Sequence, residues 1–175
     1  MVEHIVIDDY LSEGDYTRLH KDVWEGQMPF YLHRGVSSSW NDGMKMSCPL
    51  IRDSMVLIEP PESVKNLMSK LPGFYMPARM HVNMTFKNNV PDQPYHQDQY
   101  NPFLYAAVYY LTHTNGATVF ENGDSEEIEV ESIANRMVIF RACEKHKVKG
   151  HTEGPTERII FNMNYLPSED FLAKE

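Results

Sequence analysis

From residue 75 onward the chain has the pattern of a succession of short β-strands, and this feature constrains the fold more than any other. Apolar and polar residues alternate in "MPARMHVNMTF", and "LYAAVYYLTH" is rich in aromatic and β-branched residues, both of which are typical of strands. Turn signals such as Asn115-Gly116 and Asn122-Gly123 separate further segments of this kind, namely "ATVFENG", "EEIEVESI", "NRMVIFRA" and "RIIFNMNYL". Many short strands in succession predict a β-sandwich or barrel.

The part of the chain that precedes this region predicts helices packed outside the barrel. In "SEGDYTRLHKDVWEG" Ser12 can cap a helix, and Leu19 and Val23 lie four residues apart on one helical face. The segment "PPESVKNLMSKLPG" predicts a second short helix with proline at its start. Residues 30–50 predict loops with short strands at most, and a lid over a site could lie there. The predicted fold class is mainly β with flanking helices.

Length and charge narrow the classes of function. A chain of 175 residues with 42% hydrophobic residues predicts one domain over 1–175, with 1–74 as helical support and loops and 75–166 as the β core. A net charge of −9 argues against a long nucleic acid as partner, because such binding needs a basic surface. No apolar run approaches the roughly 20 residues of a membrane span. Two cysteines and no signal-peptide pattern at the N-terminus predict a cytoplasmic protein.

The stretch "PYHQDQY" places His96 and Asp98 two residues apart, just after a proline. In extended or turn backbone, side chains at i and i+2 point the same way and can bind one metal ion. The chain contains a second such pair, His20 and Asp22, but it lies on a predicted helix, where residues two apart do not face each other. The sequence therefore makes His96 and Asp98 the candidate metal pair.

Redox metal sites with open positions commonly use two histidines and one carboxylate. The third ligand could be His146, which follows the predicted strand in "NRMVIFRACEKHKV", and His151 is the alternative. Arg158 opens the last strand, where alternation gives it the same face as Ile160, Asn162 and Asn164. An arginine facing a barrel interior is costly without an anionic partner. A small-molecule carboxylate, bound by both arms of the guanidinium, would be such a partner.

The order of these motifs resembles the iron(II)- and 2-oxoglutarate-dependent oxygenases. The resemblance rests on "YHQDQ", "NGATVFENG", "NRMVIFRACEKH" and "RIIFNMNYL", and it is closest to the prolyl 4-hydroxylase-like group, especially the small single-domain members common in bacteriophage. It covers residues 75–166 well and the N-terminal part more loosely. A phenylalanine six residues before the distal histidine and an arginine twelve after it make the combination fairly specific. The family's glycine pair before the threonine is replaced here by Gly116-Ala117-Thr118.

This resemblance implies a double-stranded β-helix, or jelly-roll barrel, with His96, Asp98 and His146 as Fe(II) ligands. It implies that Arg158 binds the distal carboxylate of 2-oxoglutarate. It also implies a reaction with dioxygen that converts 2-oxoglutarate to succinate and carbon dioxide and hydroxylates a substrate C–H bond. The spacing from Phe140 favours His146 over His151. The substrate would be a peptidyl proline or a small molecule, and a viral origin would place the protein in the host cytoplasm.

Other residues are candidates with an alternative structural role. Tyr110 could point inward and hydrogen-bond the keto acid, although tyrosine is an ordinary strand residue. The resemblance implies that Asn162 lies near the metal or the cofactor. Arg79 and Asn83 share one face of the strand before the motif, where they could line the substrate entrance or form a solvent-facing stripe. His81 shares that face and is assigned a structural role, because the metal needs no third histidine.

Two other functions are compatible with the same residues. A cupin-like metal enzyme would bind its substrate directly, without 2-oxoglutarate, and Arg158 would then be structural or would hold the substrate. A non-enzymatic β-sandwich binding module would carry its histidines by coincidence. The three hypotheses differ in whether iron(II) binds at all and in whether 2-oxoglutarate then binds to it.

Overall fold

The computed structural model describes residues 4–26, 28–34, 43–89, 93–122 and 126–172. The helices within these ranges are α1 (Glu13–Trp24), α2 (Glu62–Ser69) and α3 (Glu169–Leu172). The strands are β1 (His4–Ile7), β2 (Tyr31–Arg34), β3 (Met44–Arg52), β4 (Met55–Val56), β5 (Phe74–Phe86), β6 (Tyr105–Tyr110), β7 (Ala117–Asn122), β8 (Glu126–Glu131), β9 (Arg136–Arg141), β10 (His146–Lys149) and β11 (Glu157–Pro167).

The strands form two antiparallel sheets. The larger sheet has the order β1-β9-β6-β11-β5-β3-β2, with β4 added to β3, and the smaller has the order β10-β7-β8. Strand β11 lies in the middle of the larger sheet, where Phe161 pairs with Val82 of β5 and with Tyr109 of β6. The predicted class, mainly β in a jelly-roll arrangement with few helices, is confirmed.

Alternate residues of β11 serve two different cores. Phe161 and Met163 point to the core that includes Leu19 of α1 and Leu67 of α2. Ile160, on the opposite face, packs in a second core, whose members from the smaller sheet are Phe120 and Val130. Period-two alternation in a central strand therefore separates a helix-covered face from a face covered by the smaller sheet. The prediction of helices outside the barrel is confirmed.

Helix α1 begins where the sequence predicts. Ser12 accepts a hydrogen bond from the backbone N–H of Asp15 at 3.2 Å, which satisfies one of the free donors of the first turn. Leu19 and Val23 are the buried residues of its inner face. Helix α2 begins directly after Pro61, as the proline at the start of the predicted helix indicates. Within the described part of the chain, every helix is too short or too polar to span a bilayer.

The prediction of loops for residues 30–50 is wrong in part. Strand β3 runs for nine residues and pairs with β5, and β2 pairs with β3. Strand β3 could not be predicted from the sequence because it contains Pro49 and its buried residues do not alternate. Its pairing with β5 shifts register between Pro49 and Ile51. Residues 35–42, which include Trp40, lie outside the described residues, so the lid stays a prediction.

The turn at Asn115-Gly116 connects the two sheets and does not form a hairpin. Strand β6 belongs to the larger sheet and β7 to the smaller. The Asn115 side chain instead accepts hydrogen bonds from the backbone N–H groups of Thr152 and Glu153, at 2.8 and 2.9 Å. Strands β7 and β8, which the signal at Asn122-Gly123 separates in the sequence, do pair directly, and residues 123–125 lie outside the described residues.

Candidate metal centre and its cavity

Three side chains that the sequence singles out converge at one edge of the smaller sheet. One ligand atom from each of His96, Asp98 and His146 lies within 4.8 Å of the others. Two backbone hydrogen bonds between His96 and His146, at 2.8 and 2.9 Å, set the two histidines side by side as an antiparallel bridge. The main chain therefore brings the two rings together, with centroids 4.5 Å apart.

Each histidine presents one ring nitrogen to the backbone and leaves the other available. The Nδ1 atom of His146 lies 3.0 Å from the carbonyl oxygen of Glu144, and that of His96 lies 3.4 Å from the carbonyl of Pro94. Nδ1–H donation to a carbonyl is how metal-binding histidines are commonly oriented. Burial lowers the pKa of His146, which favours the neutral imidazole that a metal ion requires.

A buried asparagine positions the carboxylate. The Nδ2 group of Asn164 donates a hydrogen bond to Oδ2 of Asp98 at 3.1 Å, and Asn164 is fully buried. The sequence placed Asn164 on the face of Arg158 but gave it no role. Parity alone could have suggested one, because a polar residue on an interior face needs a partner.

The segment that carries His96 and Asp98 is hydrogen-bonded to β10 and to the turn before it. The backbone N–H of Gln93 donates to the carbonyl of Val148, and the Gln97 side chain donates to the carbonyl of Cys143. The first contact precedes His96 and the second lies between His96 and Asp98. The arrangement therefore holds a non-repetitive segment in an extended course, as the spacing of the pair requires.

A cavity of about 440 Å³ adjoins the triad. Most of its described lining residues are polar, and Asp98 is the only carboxylate among them: Lys45, Arg79, Asn83, Thr85, Gln93, Pro94, Tyr95, His96, Gln97, Asp98, Val148, Arg158, Ile160 and Asn162. The cavity thus lies between β3, β5 and β11 of the larger sheet and the segment that carries the candidate ligands. A small polar molecule could enter it beside the three ligand atoms.

Arg158 contributes a buried guanidinium to this cavity. The residue is 2% exposed, and its Nε and Nη2 atoms have no hydrogen-bond partner among the described residues. Its Cζ atom lies 5.6 Å from the centre of the Tyr110 ring. Burial lowers its pKa, yet guanidinium stays protonated in proteins. A buried cation without a counter-charge costs several kcal/mol, so the geometry fits an anionic ligand.

Two other predicted cofactor residues surround this arginine. Asn162 lines the cavity, and its Oδ1 atom is buried without a partner among the described residues. Tyr110 is fully buried, and its hydroxyl donates to Oγ1 of Thr118 at 2.7 Å. The tyrosine ring therefore packs beside the guanidinium, and the hydroxyl is already engaged by the protein.

The remaining candidates divide clearly. Arg79 and Asn83 line the cavity. His151 is buried, but it is not part of the group of ligand atoms formed by the triad. The structure thus brings His146, and not His151, to the candidate pair.

Comparison with known proteins identifies the fold. No protein-family model and no curated protein matches the sequence. Solved structures do match: a prolyl-4-hydroxylase of Pseudomonas putida has a TM-score of 0.68 at 14% identity, with 96% of this chain and 94% of that chain covered. A prolyl hydroxylase of Trichoplax adhaerens, in complex with a hypoxia inducible factor peptide, has a TM-score of 0.66 at 12% identity, with coverage of 98% and 87%.

A third matching structure was solved with a metal ion and two small molecules bound. HygX of Streptomyces hygroscopicus, solved with nickel, 2-oxoglutarate and hygromycin B, has a TM-score of 0.65 at 9% identity, with 96% of this chain and 84% of that chain covered. The chain therefore has the fold of the 2-oxoglutarate- and Fe(II)-dependent oxygenases over nearly its whole length.

Proposed function

We propose that this protein is an Fe(II)- and 2-oxoglutarate-dependent oxygenase, formed by a single domain, that hydroxylates a C–H bond of its substrate. One observation carries the proposal: His96 and Asp98, two members of a triad completed by His146, line a cavity together with a buried arginine, and two nitrogen atoms of this arginine have no partner among the described residues. Either half alone would be weak evidence. Together they supply the two binding functions that this reaction requires.

The triad fits ferrous iron by its donor set. Two neutral imidazoles and one carboxylate on one side of an iron(II) ion leave open positions for a keto acid and for dioxygen. His96, Asp98 and His146 would hold the ion, with Asn164 fixing the orientation of the carboxylate. The rings of Phe140 and Phe120 lie 4.8 and 6.2 Å from that of His146 and shield this ligand from water.

Arg158 fits the distal carboxylate of 2-oxoglutarate. A guanidinium matches a carboxylate with two parallel N–H···O bonds, and two of its nitrogen atoms are unused. Gly116 leaves room for the arginine, because a Cβ there would lie 3.1 Å from its Cδ. Tyr110 would hold the guanidinium in place by ring packing, and the amide of Asn162 would bind the keto acid.

The bound iron and keto acid supply the oxidising chemistry: dioxygen and 2-oxoglutarate give succinate and carbon dioxide, and one oxygen atom enters the substrate C–H bond. The protein's own residues position these groups and exclude water. The substrate would be a peptidyl proline or a small molecule, in keeping with the peptide bound to the Trichoplax enzyme and the hygromycin B bound to HygX.

The direct test is turnover of 2-oxoglutarate by the purified protein. With Fe(II) and oxygen, we expect slow succinate formation that does not need the primary substrate. The matched controls are His96→Ala, which removes a ligand, and His20→Ala, which removes a histidine on α1. Succinate formation that is no faster than in His96→Ala would refute the proposal, whereas the His20→Ala rate should equal that of the wild type.

The cupin-like alternative predicts a different outcome for Arg158. If the substrate bound the metal directly, Arg158→Lys would leave 2-oxoglutarate binding unchanged, because none would occur at the metal. Under the proposal the same change keeps the positive charge but loses the two parallel N–H donors of the guanidinium. The affinity for 2-oxoglutarate then falls by roughly tenfold.

A further inference from the structure

The cavity contains a second arginine that the proposed reaction does not use. Arg79 of β5 is half-buried and lines the cavity. It makes no hydrogen bond or ion pair with any of the described residues. Partial burial of a guanidinium costs desolvation free energy, and only a bound partner can offset this cost.

The sheet register separates the two arginines. Arg158 pairs with Thr85, whereas Arg79 pairs with Asn164, the residue that donates to Asp98. Six residues of β11 separate Arg158 from Asn164, which corresponds to roughly 20 Å along the strand. The backbone of Arg79 therefore lies at the Asp98 end of the cavity floor, and Arg158 lies at the far end.

Charge balance shows which of the two arginines is not needed to neutralise the metal ion and 2-oxoglutarate. In the loaded enzyme, the two charges of the metal ion and that of Arg158 cancel the charges of Asp98 and of the two carboxylates of 2-oxoglutarate. Asp98 is the sole carboxylate among the described residues that line the cavity. Lys45 lies in the row of Thr85, at the Arg158 end. Arg79 would thus remain, at the Asp98 end of the cavity, as a cation that this balance does not use.

The charged side chains that act on His81, which pairs with Asn162 between the two arginines, are mostly cationic. Burial lowers its pKa to about 4, and the charges of Arg79, Arg52 and Lys45 add to this effect, with only Asp98 acting against them. His81 is therefore neutral at pH 7 and adds no further positive charge. A locally positive cavity in a chain of net charge −9 indicates selection for a negative ligand.

We propose that Arg79 binds an anionic group of the primary substrate, a carboxylate or a phosphate, and so orients the C–H bond toward the metal. The inference rests on the proposed function, and it narrows the substrate to acidic molecules or acidic peptides. Both anions match the guanidinium fork bidentately. A neutral analogue of the substrate would leave Arg79 without a partner and would be discriminated against.

Inorganic phosphate and acetate are suitable probes. We would load the protein with Mn(II) and 2-oxoglutarate, titrate each anion, and follow its NMR relaxation, which the paramagnetic ion enhances at close range. We expect saturable enhancement, and an affinity that is roughly tenfold lower in Arg79→Gln, as loss of a charge-assisted fork predicts. The anion that binds more tightly identifies the class, and Arg79→Lys should fall between the two proteins.

The control is Arg18→Gln, which removes an arginine whose side chain is 66% exposed on α1; it should bind both anions like the wild type. Equal affinities in the wild type and Arg79→Gln, linear enhancement without saturation, or displacement of 2-oxoglutarate by the anion would each overturn the inference. If Mn(II) or 2-oxoglutarate does not bind the wild type, the proposed function fails instead. The anion-dependent melting temperature of the metal-free proteins then decides whether Arg79 binds anions.

Discussion

At the scale of single residues, the site is marked by polar atoms that the protein itself leaves without partners. Among the described residues, buried atoms of this kind on or beside the cavity belong to Gln93, Arg158, Asn162, Asn164 and His81. Most buried polar groups in folded proteins are hydrogen-bonded. A cluster of exceptions around one cavity is therefore evidence for a ligand, and it also identifies the substitutions that should affect ligand binding selectively.

Asn164→Ala should weaken metal binding. The change removes the donor to Oδ2 of Asp98 and leaves the carboxylate free to rotate. We expect the affinity for Mn(II) or Fe(II) to fall by about 10- to 100-fold, the usual effect of removing a partner that orients a ligand. Anaerobic metal titration measures it, and Asn66→Ala on α2 is the control. An unchanged metal affinity in a folded Asn164→Ala protein would show that the contact has no role in positioning.

Gly116→Ala should weaken 2-oxoglutarate binding and leave metal binding intact. The new Cβ would lie 3.1 Å from Cδ and 3.2 Å from Nε of Arg158, and 3.1 Å from the carbonyl oxygen of Lys149. These distances are shorter than normal carbon contacts, so the arginine must shift. We expect the dissociation constant for 2-oxoglutarate to rise by roughly tenfold, since misplacing a fork by a few tenths of an ångström spoils its geometry. Equal constants for the two proteins would place the cofactor elsewhere.

At the scale of the elements, the link between the two sheets holds the segment that leads into β11 and Arg158. Asn115 ties the β6–β7 link to the segment before β11 with three hydrogen bonds, one of them to the hydroxyl of Thr152. Asn115→Ala should lower the free energy of unfolding by about 1–2 kcal/mol, because exposed hydrogen bonds each contribute modestly. Urea denaturation measures the change. Asn101→Ala, which removes a single bond to the N–H of Phe103, is the control and should cost less.

Local sequence patterns predicted some elements well and others badly. Helix α1 and strands β5 to β9 and β11 follow from caps, alternation and turn residues, which act over a few positions, whereas strand β10 was not predicted. Strand β3 did not, because its pairing with β5 compensates for Pro49 and for the lack of alternation. The signal at Asn115-Gly116 predicted a turn but not its partners, Thr152 and Glu153, because these are distant in sequence.

The same limit applies to the site. His96, Asp98, His146 and Arg158 could be singled out because their residue types and spacing carry the chemistry. The partnership of Asn164 with Asp98 spans 66 residues and depends on how β11 lies beside the motif. Side-chain parity placed Asn164 on the correct face, but only the sheet register could reveal its contact.

At the scale of the whole molecule, two buried histidines and one half-buried histidine predict how stability depends on pH. Burial lowers the pKa of His81, His146 and His151 below the ordinary value of 6.5, to about 4 for His81. Between these two values the unfolded chain binds protons that the folded chain does not. The contribution is therefore fully present above pH 6.5 and is lost as the pH falls toward 4.

We expect the free energy of unfolding of the metal-free protein to fall between pH 7 and pH 5, and to fall less in His81→Gln. Urea denaturation at both pH values measures the two differences. The physical reason is that glutamine binds no proton in either state, so one of the three linked groups is removed. The same pH dependence in both proteins would contradict the assignment of a lowered pKa to His81.

The most direct test of the central claim is an anaerobic titration of Fe(II) and 2-oxoglutarate into the metal-free protein, followed by the visible metal-to-keto-acid charge-transfer band. The wild type and His151→Ala should develop the band, and His146→Ala should lose it, because only His146 joins the group of ligand atoms. A band that depends on His151 would contradict the ligand set. Iron binding without a band would contradict the cosubstrate, and no iron binding at all would contradict the metal centre.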